Sequence, residues 1–296
     1  MRVDIPKPGK YVVAVSGGVD SMVLLDILAR EPSLVLIIAH IDHGIRPDSN
    51  EDLILVEYES NKRSLKFNKK LLKLGSNASE EKARNERYKF LNNLQKEHQA
   101  DGIITAHHQD DLIETAILNM LRGTGRKGLT SILDNPKVIR PLINVPKKEI
   151  YQYALDNGII WHEDSTNNDE KYLRNYIRKQ IIPKLDDQQK QQFINSLNST
   201  SKNNQEIDTL LVKQINENSS NTGISRTWFN SLPHDVASET MATWLRQNKL
   251  RDFDRSTIVR LVIAAKTSKN SKKHPIIKGA NLVMSKDELA LELAER

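Results

Sequence analysis

Short runs of β-branched and aliphatic residues alternate with stretches of helical spacing over the first half of the chain. Tyr11 to Val15 (YVVAV), Leu34 to His40 (LVLIIAH) and Gly102 to Ala106 (GIITA) read as buried strands. Between and after them, Ser21 to Arg30, Asn50 to Ser60, Glu80 to His98 and a segment resuming near Asp110 carry apolar positions three and four apart. In the Glu80 to His98 helix, Ser79 is the expected cap and Ala83, Tyr88, Leu91 and Leu94 form the apolar stripe. Val138 to Leu142 is a short extended piece, and Lys147 to Asn157 a helix closed by Gly158. Uniformly apolar strands separated by helices predict an α/β fold with a doubly wound, mostly parallel sheet.

Beyond Asp186 the pattern changes. Gln, Asn and Ser surround spaced apolar residues (Phe193, Leu197, Ile207, Leu210, Leu211), which predicts one long polar connector helix. Val236 to Gln247 and Arg255 to Lys266 then read as helices, followed by a basic loop from Lys266 to Lys278 and a final short hairpin. The expected organisation is a nucleotide-binding catalytic domain over 1–187, a linker helix over 188–220 and a small, mainly helical domain over 221–296.

The first strand and helix are joined by Ser16-Gly17-Gly18-Val19-Asp20-Ser21. Two glycines permit a sharp turn and close approach of backbone to ligand, while the helix aims unpaired N–H groups and its positive dipole end at the turn. Such a site suits pyrophosphate. It is not a Walker A loop, since no Lys follows a second glycine, nor a dinucleotide fingerprint, since the third glycine is missing. The sequence Ser-Gly-Gly-Val-Asp-Ser resembles the signature of the PP-loop ATP pyrophosphatases, which split ATP between its α and β phosphates.

Polar residues collect where strands end, the edge at which open α/β sheets bind ligands. His40, Asp42, His43 and Arg46 follow the second strand. His107, His108, Gln109, Asp110, Asp111, Glu114 and Thr115 follow the third, with Asp111, Glu114 and Thr115 on one helix face. Two carboxylates there can chelate Mg²⁺ or hold an ammonium group. Arg84 and Arg87 lie in the first turns of the Glu80 helix, and Arg174 and Arg178 share one side of a helix over Tyr172 to Arg178, which a loop of capping residues from Trp161 precedes. Gly123, Gly125 and Gly128 match a dinucleotide fingerprint in spacing alone, because a helix precedes them. With Arg122, Arg126 and Lys127 they read as a lid or phosphate contact. The six basic residues of Lys62 to Lys73 read equally as a solvated strand edge or a phosphate-backbone contact.

Composition narrows the class. The 296 residues include no Cys, which removes disulfides, thiolate metal sites, Fe–S clusters and cysteine-based sulfur transfer. A net charge of +6 favours a polyanionic partner; residues 187–296 hold 16 Lys+Arg against 12 Asp+Glu, and residues 1–186 hold 28 against 26. No apolar stretch is long enough to span a bilayer and none follows the Met-Arg-Val-Asp start, so a cytoplasmic enzyme is expected.

Taken in order, SGGVDS, HIDHGIR, ARNERYKFL, TAHHQDDLIET, LRGTGRKGL, IRPL and YLRNYIR resemble the tRNA(Ile)-lysidine synthase family, closely over residues 11 to about 185 and loosely beyond. The resemblance implies conversion of the wobble cytidine of a CAU-anticodon isoleucine tRNA into lysidine, with ATP, Mg²⁺ and free lysine. It implies ATP contacts at Ser16, Gly17, Gly18, Val19, Asp20, Ser21, His40 and Arg84, and lysine binding at Asp111 and Glu114. Asp20, Asp111 and Glu114 would carry the chemistry. Arg122, Arg126, Lys127, Arg174 and Arg178 would contact phosphate or tRNA, Asp20 and Asp110 would hold Mg²⁺, and the assembly compatible with this is a homodimer. One departure is Leu112, where the family often has Gln. Competing readings are a PP-loop tRNA thiolase, disfavoured by the absence of Cys, a glutamine-fed amidating ligase, which needs an ammonia source on another chain, and a silent nucleotide- or RNA-binding module.

Overall fold

The computed structural model describes all residues except 43–48, 73–79, 136, 164–172, 270–271 and 294–296, together with the side chains at 49, 80 and 81. His43, Arg46, the Ser79 cap and most of the capping loop that follows Trp161 therefore lie outside the described residues. The chain divides into two compact units, Met1–Ser201 and Lys202–Arg296.

The first unit is built on five parallel strands, β1 (Gly9–Ala14), β2 (Leu34–Asp42), β3 (Lys66–Leu71), β4 (Gly102–Ile104) and β5 (Val138–Ile139). They stand in the order β3-β2-β1-β4-β5. The order reverses beside β1, which places the loop after β1 at the switch point where such sheets bind ligands. Helices α1 (Val19–Ala29), α2 (Ser49–Lys62), α3 (Glu80–Glu97), α4 (Gln109–Leu121), α5 (Arg126–Leu129) and α6 (Lys147–Asp156) accompany the strands.

Side chains of β1 alternate between two cores. Tyr11 and Val13 pack with Val23, Leu24, Leu36, Ile38, Ile150 and Ala154, and Val12 packs with Ile37, Ala39, Leu91, Leu94 and Ile103. Strand residues of successive parity thus bury against α1 and α6 on one face and α3 on the other. Burial on both faces explains why these strands carry no polar alternation. Leu112 is fully buried with Ile113, Ile177 and Ile182.

Several expected elements differ in detail. Helix α1 begins at Val19 rather than Ser21, because Gly18 in an extended conformation already serves as its N-cap. The extended piece after Asn135 pairs with β4 through Val138 and Ile139 alone. The strand β3 is an edge strand whose Lys69 and Lys70 pair with Glu57 and Glu86, each at 3.3 Å, so these two lysines serve the solvated edge. The glycine-containing segment after α4 holds a helical turn, α5, tied to α4 by the Asn119 amide donating to the Gly128 carbonyl at 2.7 Å.

Helix α7 (Leu173–Tyr176) widens into a π-type turn over Ile177–Ile181 and then tightens over Ile182–Lys184. Helix α8 (Asp187–Glu217) follows. The boundary between the two units falls inside this helix, at Ser201 and Lys202.

The second unit holds α9 (Arg226–Ser231), α10 (His234–Gln247) and α11 (Arg255–Thr267). These helices pack with an antiparallel sheet in the order β6-β9-β8-β7, formed by β6 (Gly223–Ser225), β7 (Lys273–Ile277), β8 (Ala280–Met284) and β9 (Glu288–Leu293). This sheet corrects the expected hairpin, and β7 corrects the expected basic loop. Inward-facing Leu282, Met284 and Leu289 supply the apolar face, while Pro275 sits on edge strand β7 beside a bulge. Lys273 is likewise spent on Glu292, at 2.5 Å. No helix among the described residues is long and apolar enough to cross a membrane.

Candidate active site

The loop after β1 is held by one hydroxyl. Ser21 Oγ donates to the Gly18 carbonyl at 2.9 Å and accepts from the Ser16 and Gly17 amides at 3.1 and 3.2 Å. Gly17 has φ +98°, and a Cβ there would meet Asp52 at 3.0 Å, so only glycine fits. Gly18 is different. Its φ is −76°, and a Cβ would meet only Ser16 Oγ at an ordinary 3.7 Å, so the protein leaves space above it. At the N-terminus of α1 the Val19 and Asp20 amides have no intrahelical partner, which suits an anion.

Around this loop Asp20 meets Lys147 and His108, neither of them among the expected site residues. Lys147 Nζ, from the first residue of α6, stands 2.5 Å from Asp20 Oδ1 and 5.0 Å above the Tyr151 ring. His108 Nε2 lies 3.7 Å from Asp20 Oδ2 and 3.4 Å from Asp111 Oδ2. Because His108 Nδ1 accepts from the Asp110 amide at 3.2 Å, the ring proton belongs on Nε2, facing both carboxylates. Asp111 returns a bond to the His108 amide at 3.0 Å and completes a capping box at the start of α4.

One turn further, Glu114 is almost fully buried and gripped by two arginines. Arg174 Nε lies 2.5 Å from Oε1, and Arg178 approaches Oε2 at 2.7 Å while also reaching Asp111 Oδ1 at 3.2 Å. The turn carrying Arg178 is the π-type turn after α7. Burial pushes the Glu114 carboxyl up to about 7, although Arg178 pulls the other way. Burial also works to raise Asp111, but His108, His107 and Arg178 outweigh it and hold that carboxyl below its ordinary range. Two neighbouring carboxylates are thereby driven apart, a common sign of a working site.

The structure thus brings together Ser16, Gly17, Gly18, Val19, Asp20 and Ser21 on one side and Asp111, Glu114, Arg174 and Arg178 on the other, bridged by His108. Asp110 points to Lys190 Nζ at 3.5 Å. His40 is buried, and its Nδ1 donates to the Val15 carbonyl at 2.9 Å; burial lowers its pKa and keeps the ring neutral. It therefore buttresses the strand that leads into the loop.

Arg84 stacks on Tyr88 at 5.1 Å. Exposed Arg122 caps the far end of α4, eleven residues and about 16 Å along the helix from Asp111, with Arg126 and Lys127 in the turn beyond. These three do not converge on Asp111 and Glu114.

Sequence reasoning placed His108 at the strand edge without giving it a role, and missed Lys147 and the pair formed by His162 and Asp52. His162 Nδ1 contacts Asp52 Oδ1 at 2.9 Å, and its amide donates to the Gly17 carbonyl at 3.1 Å, clamping the loop from outside. Lys147 did carry a signal: it directly follows Pro146 at a helix start downstream of a short strand.

Among curated relatives, the tRNA(Ile)-lysidine synthase of Thermosipho africanus is 41% identical over 189 residues, 60% of this chain and 44% of the relative. That of Enterococcus faecalis is 34% identical over 214 residues, 69% of this chain and 46% of the relative. The chain therefore matches less than half the length of these relatives. Among solved structures, the U34-tRNA thiolase NcsA from Methanococcus maripaludis, with its [4Fe-4S] cluster, superposes with a TM-score of 0.53 at 18% identity, over 67% of this chain and 74% of that one. That likeness concerns the fold. Residues 3–185, more than half of the chain, match the PP-loop domain, and with its strand-loop-helix at the sheet switch point the protein belongs to that family.

Proposed function

We propose that the chain uses ATP to activate the wobble cytidine of an isoleucine tRNA with a CAU anticodon and then joins free lysine to it, forming lysidine. The observation that carries the reading is the carboxylate pair Asp111 and Glu114, one helical turn apart and connected through His108 to Asp20 of the PP-loop. The name shared by the curated relatives supports the same substrate.

In the first step the cytosine 2-oxo oxygen attacks the ATP α-phosphorus. An O–P bond forms, the bond to the β-phosphate oxygen breaks, and pyrophosphate leaves. Amides of the loop and of the α1 N-terminus face the developing charge, and Lys147 is placed to share it. In the second step the lysine ε-nitrogen attacks carbon 2, the carbon–oxygen bond breaks and AMP departs. Asp20 and Asp111, which face the same His108 proton, are positioned to take the proton that the amine gives up.

Lysine has to enter where Arg174 and Arg178 now hold the acids, so its ammonium groups would take over part of those contacts. Mg²⁺ fits Asp20. Such an ion needs one or two carboxylates plus phosphate oxygens and water, and among the described residues there is no cluster of three potential ligands for a cation held by protein alone. Asp110 is the second candidate. When bound, the ion would neutralise charge on the leaving pyrophosphate. ATP use, the cytoplasmic setting and tRNA contact by the basic C-terminal unit belong to the same proposal. A thiolase reading has no support in the side chains, because the sequence offers no cysteine for sulfur or a cluster.

The test is incorporation of labelled lysine into a CAU-anticodon tRNA(Ile) transcript by the purified protein with ATP and Mg²⁺, beside a transcript with another wobble base. Label confined to the cytidine transcript is the expected outcome. AMP formed with tRNA but without label would keep the adenylation and reject lysine as the nucleophile.

A further inference from the structure

The Ser16 and Gly17 amides of the PP-loop are taken up by Ser21 Oγ, at 3.1 and 3.2 Å. The Gly18 amide is left with a long contact, 3.4 Å to Ser16 Oγ. It therefore joins the Val19 and Asp20 amides as a donor for an anion held at the loop. The direction of the Val19 amide is fixed by the helix, because the carbonyl of the same peptide, that of Gly18, accepts from the Met22 amide at 3.0 Å. The helix does not fix the Gly18 amide. Its peptide lies between two glycines, where the backbone can turn over with little steric resistance.

What holds this peptide comes from far downstream. The Gly17 carbonyl accepts from the His162 amide at 3.1 Å. The described peptide bonds are trans, and in a trans peptide the C=O and the N–H point in opposite directions. A Gly17 carbonyl turned to His162 thus sends the Gly18 N–H to the other side, where a Cβ on Gly18 would meet nothing closer than Ser16 Oγ at 3.7 Å. His162 is fixed in turn through its ring, with Nδ1 standing 2.9 Å from Asp52 Oδ1 on α2. Asp52 is buried and also backs the loop directly, since a Cβ on Gly17 would come within 3.0 Å of it.

We propose that His162 and Asp52 are positioning residues that act through the Gly17–Gly18 peptide, holding the Gly18 N–H towards the pyrophosphate part of a bound nucleoside triphosphate. The inference rests on the use of ATP at the PP-loop and is independent of the nucleophile and of the tRNA. Neither side chain touches phosphate. Without the latch the peptide is free to turn over and present the Gly17 carbonyl, an acceptor, in place of a donor. That exchange is penalised where negative charge faces the loop, so the β- and γ-phosphates are affected and the adenosine part is not. A pair that only stabilised the fold would not distinguish nucleotides that differ in those phosphates alone.

The test measures the affinity of the full chain for ATP, inorganic pyrophosphate and AMP by titration calorimetry, for the unaltered protein and for H162A, H162N and D52S. Asparagine keeps an N–H donor for Asp52, whereas alanine removes it. The His162 side chain is 36% exposed, so its truncation takes little out of the core. H162A is expected to bind ATP and pyrophosphate about tenfold more weakly and AMP as before, and H162N to recover ATP affinity to within about twofold. D52S breaks the same contact from the α2 side and predicts the same split, which keeps the test open if H162A fails to fold.

Unchanged ATP and pyrophosphate affinity in the folded variants would overturn the latch, as would equal weakening of ATP and AMP or no recovery in H162N. An unaltered chain that binds ATP but transfers no lysine would reject the proposed nucleophile and leave the latch to these measurements. An unaltered chain that binds neither ATP nor pyrophosphate would overturn both.

Discussion

Lys147 Nζ lies 2.5 Å from Asp20 Oδ1 across 127 residues of sequence, joining the first turn of α6 to the first turn of α1 directly beside the PP-loop. The pair neutralises a carboxylate that otherwise stands close to the space for pyrophosphate. Once phosphate and a cation occupy that space, the same ammonium is free to carry leaving-group charge. Replacing it, K147M, is expected to slow AMP formation about 10²-fold while the melting temperature moves little, as for loss of one preorganised charge-stabilising donor. Steady-state AMP release with tRNA and lysine present checks this, and an unchanged rate would remove Lys147 from the site.

The two glycines of the loop make opposite predictions. Gly17 combines φ +98° with a 3.0 Å approach of Asp52, so G17A should destabilise the fold by about 1–3 kcal/mol. Gly18 has ordinary dihedrals and open space, so G18A should keep its melting temperature and lose ATP affinity instead. Calorimetry and nucleotide titration on both variants separate the roles. Equal melting points would show that the strain at Gly17 is absent.

Glu114 is 2% exposed under two arginines, and E114A leaves them facing an empty, partly buried space. Breaking a buried pair by removing one partner costs about 3–5 kcal/mol. Side-chain exposures of 28% for Arg174 and 42% for Arg178 reduce that to about 2–3 kcal/mol here. By contrast, Asp111 caps α4, and D111N keeps an acceptor for the His108 amide. It should therefore retain most of the stability while lysine incorporation falls below detection. Denaturant titration and labelled-lysine transfer measure the two effects, and full transfer by D111N would withdraw its proposed role.

His107 gives the pH prediction. Burial, with Arg140, Arg87 and Arg84 adding to it and Asp111 opposing, lowers its pKa to about 4 from the ordinary 6.5. The folded state therefore holds the ring neutral while the unfolded chain takes up a proton. Stability from this group is fully present above pH 6.5 and is lost as pH falls towards 4, with a slope of up to about 1.4 kcal/mol per pH unit. The difference in unfolding free energy between the unaltered chain and H107N isolates the effect from the other titrating groups. That difference should change across this window and stay flat above pH 7. A flat difference throughout would mean that His107 titrates normally.

What could be read from the sequence is what local physics determines. Tyr11 to Val15 is uniformly apolar because both faces of β1 are covered, and that alone marks a central strand. The spacing of Asp111 and Glu114 fixes them on one helix face wherever the helix goes. Gly17 announces a turn, because no other residue accepts its backbone.

Only the tertiary structure decides which distant side chains meet. Lys147 reaches Asp20, His162 reaches Asp52, and Arg178 turns to Glu114 through a π-type turn that has no periodic signature. The antiparallel sheet of the second unit was hidden for a related reason: its strands are six residues or fewer, β7 is interrupted by Pro275, and they are strands because partners supply their hydrogen bonds. Periodicity encodes burial along one element, whereas ion pairing depends on where two elements are brought together, and that information is distributed over the whole core.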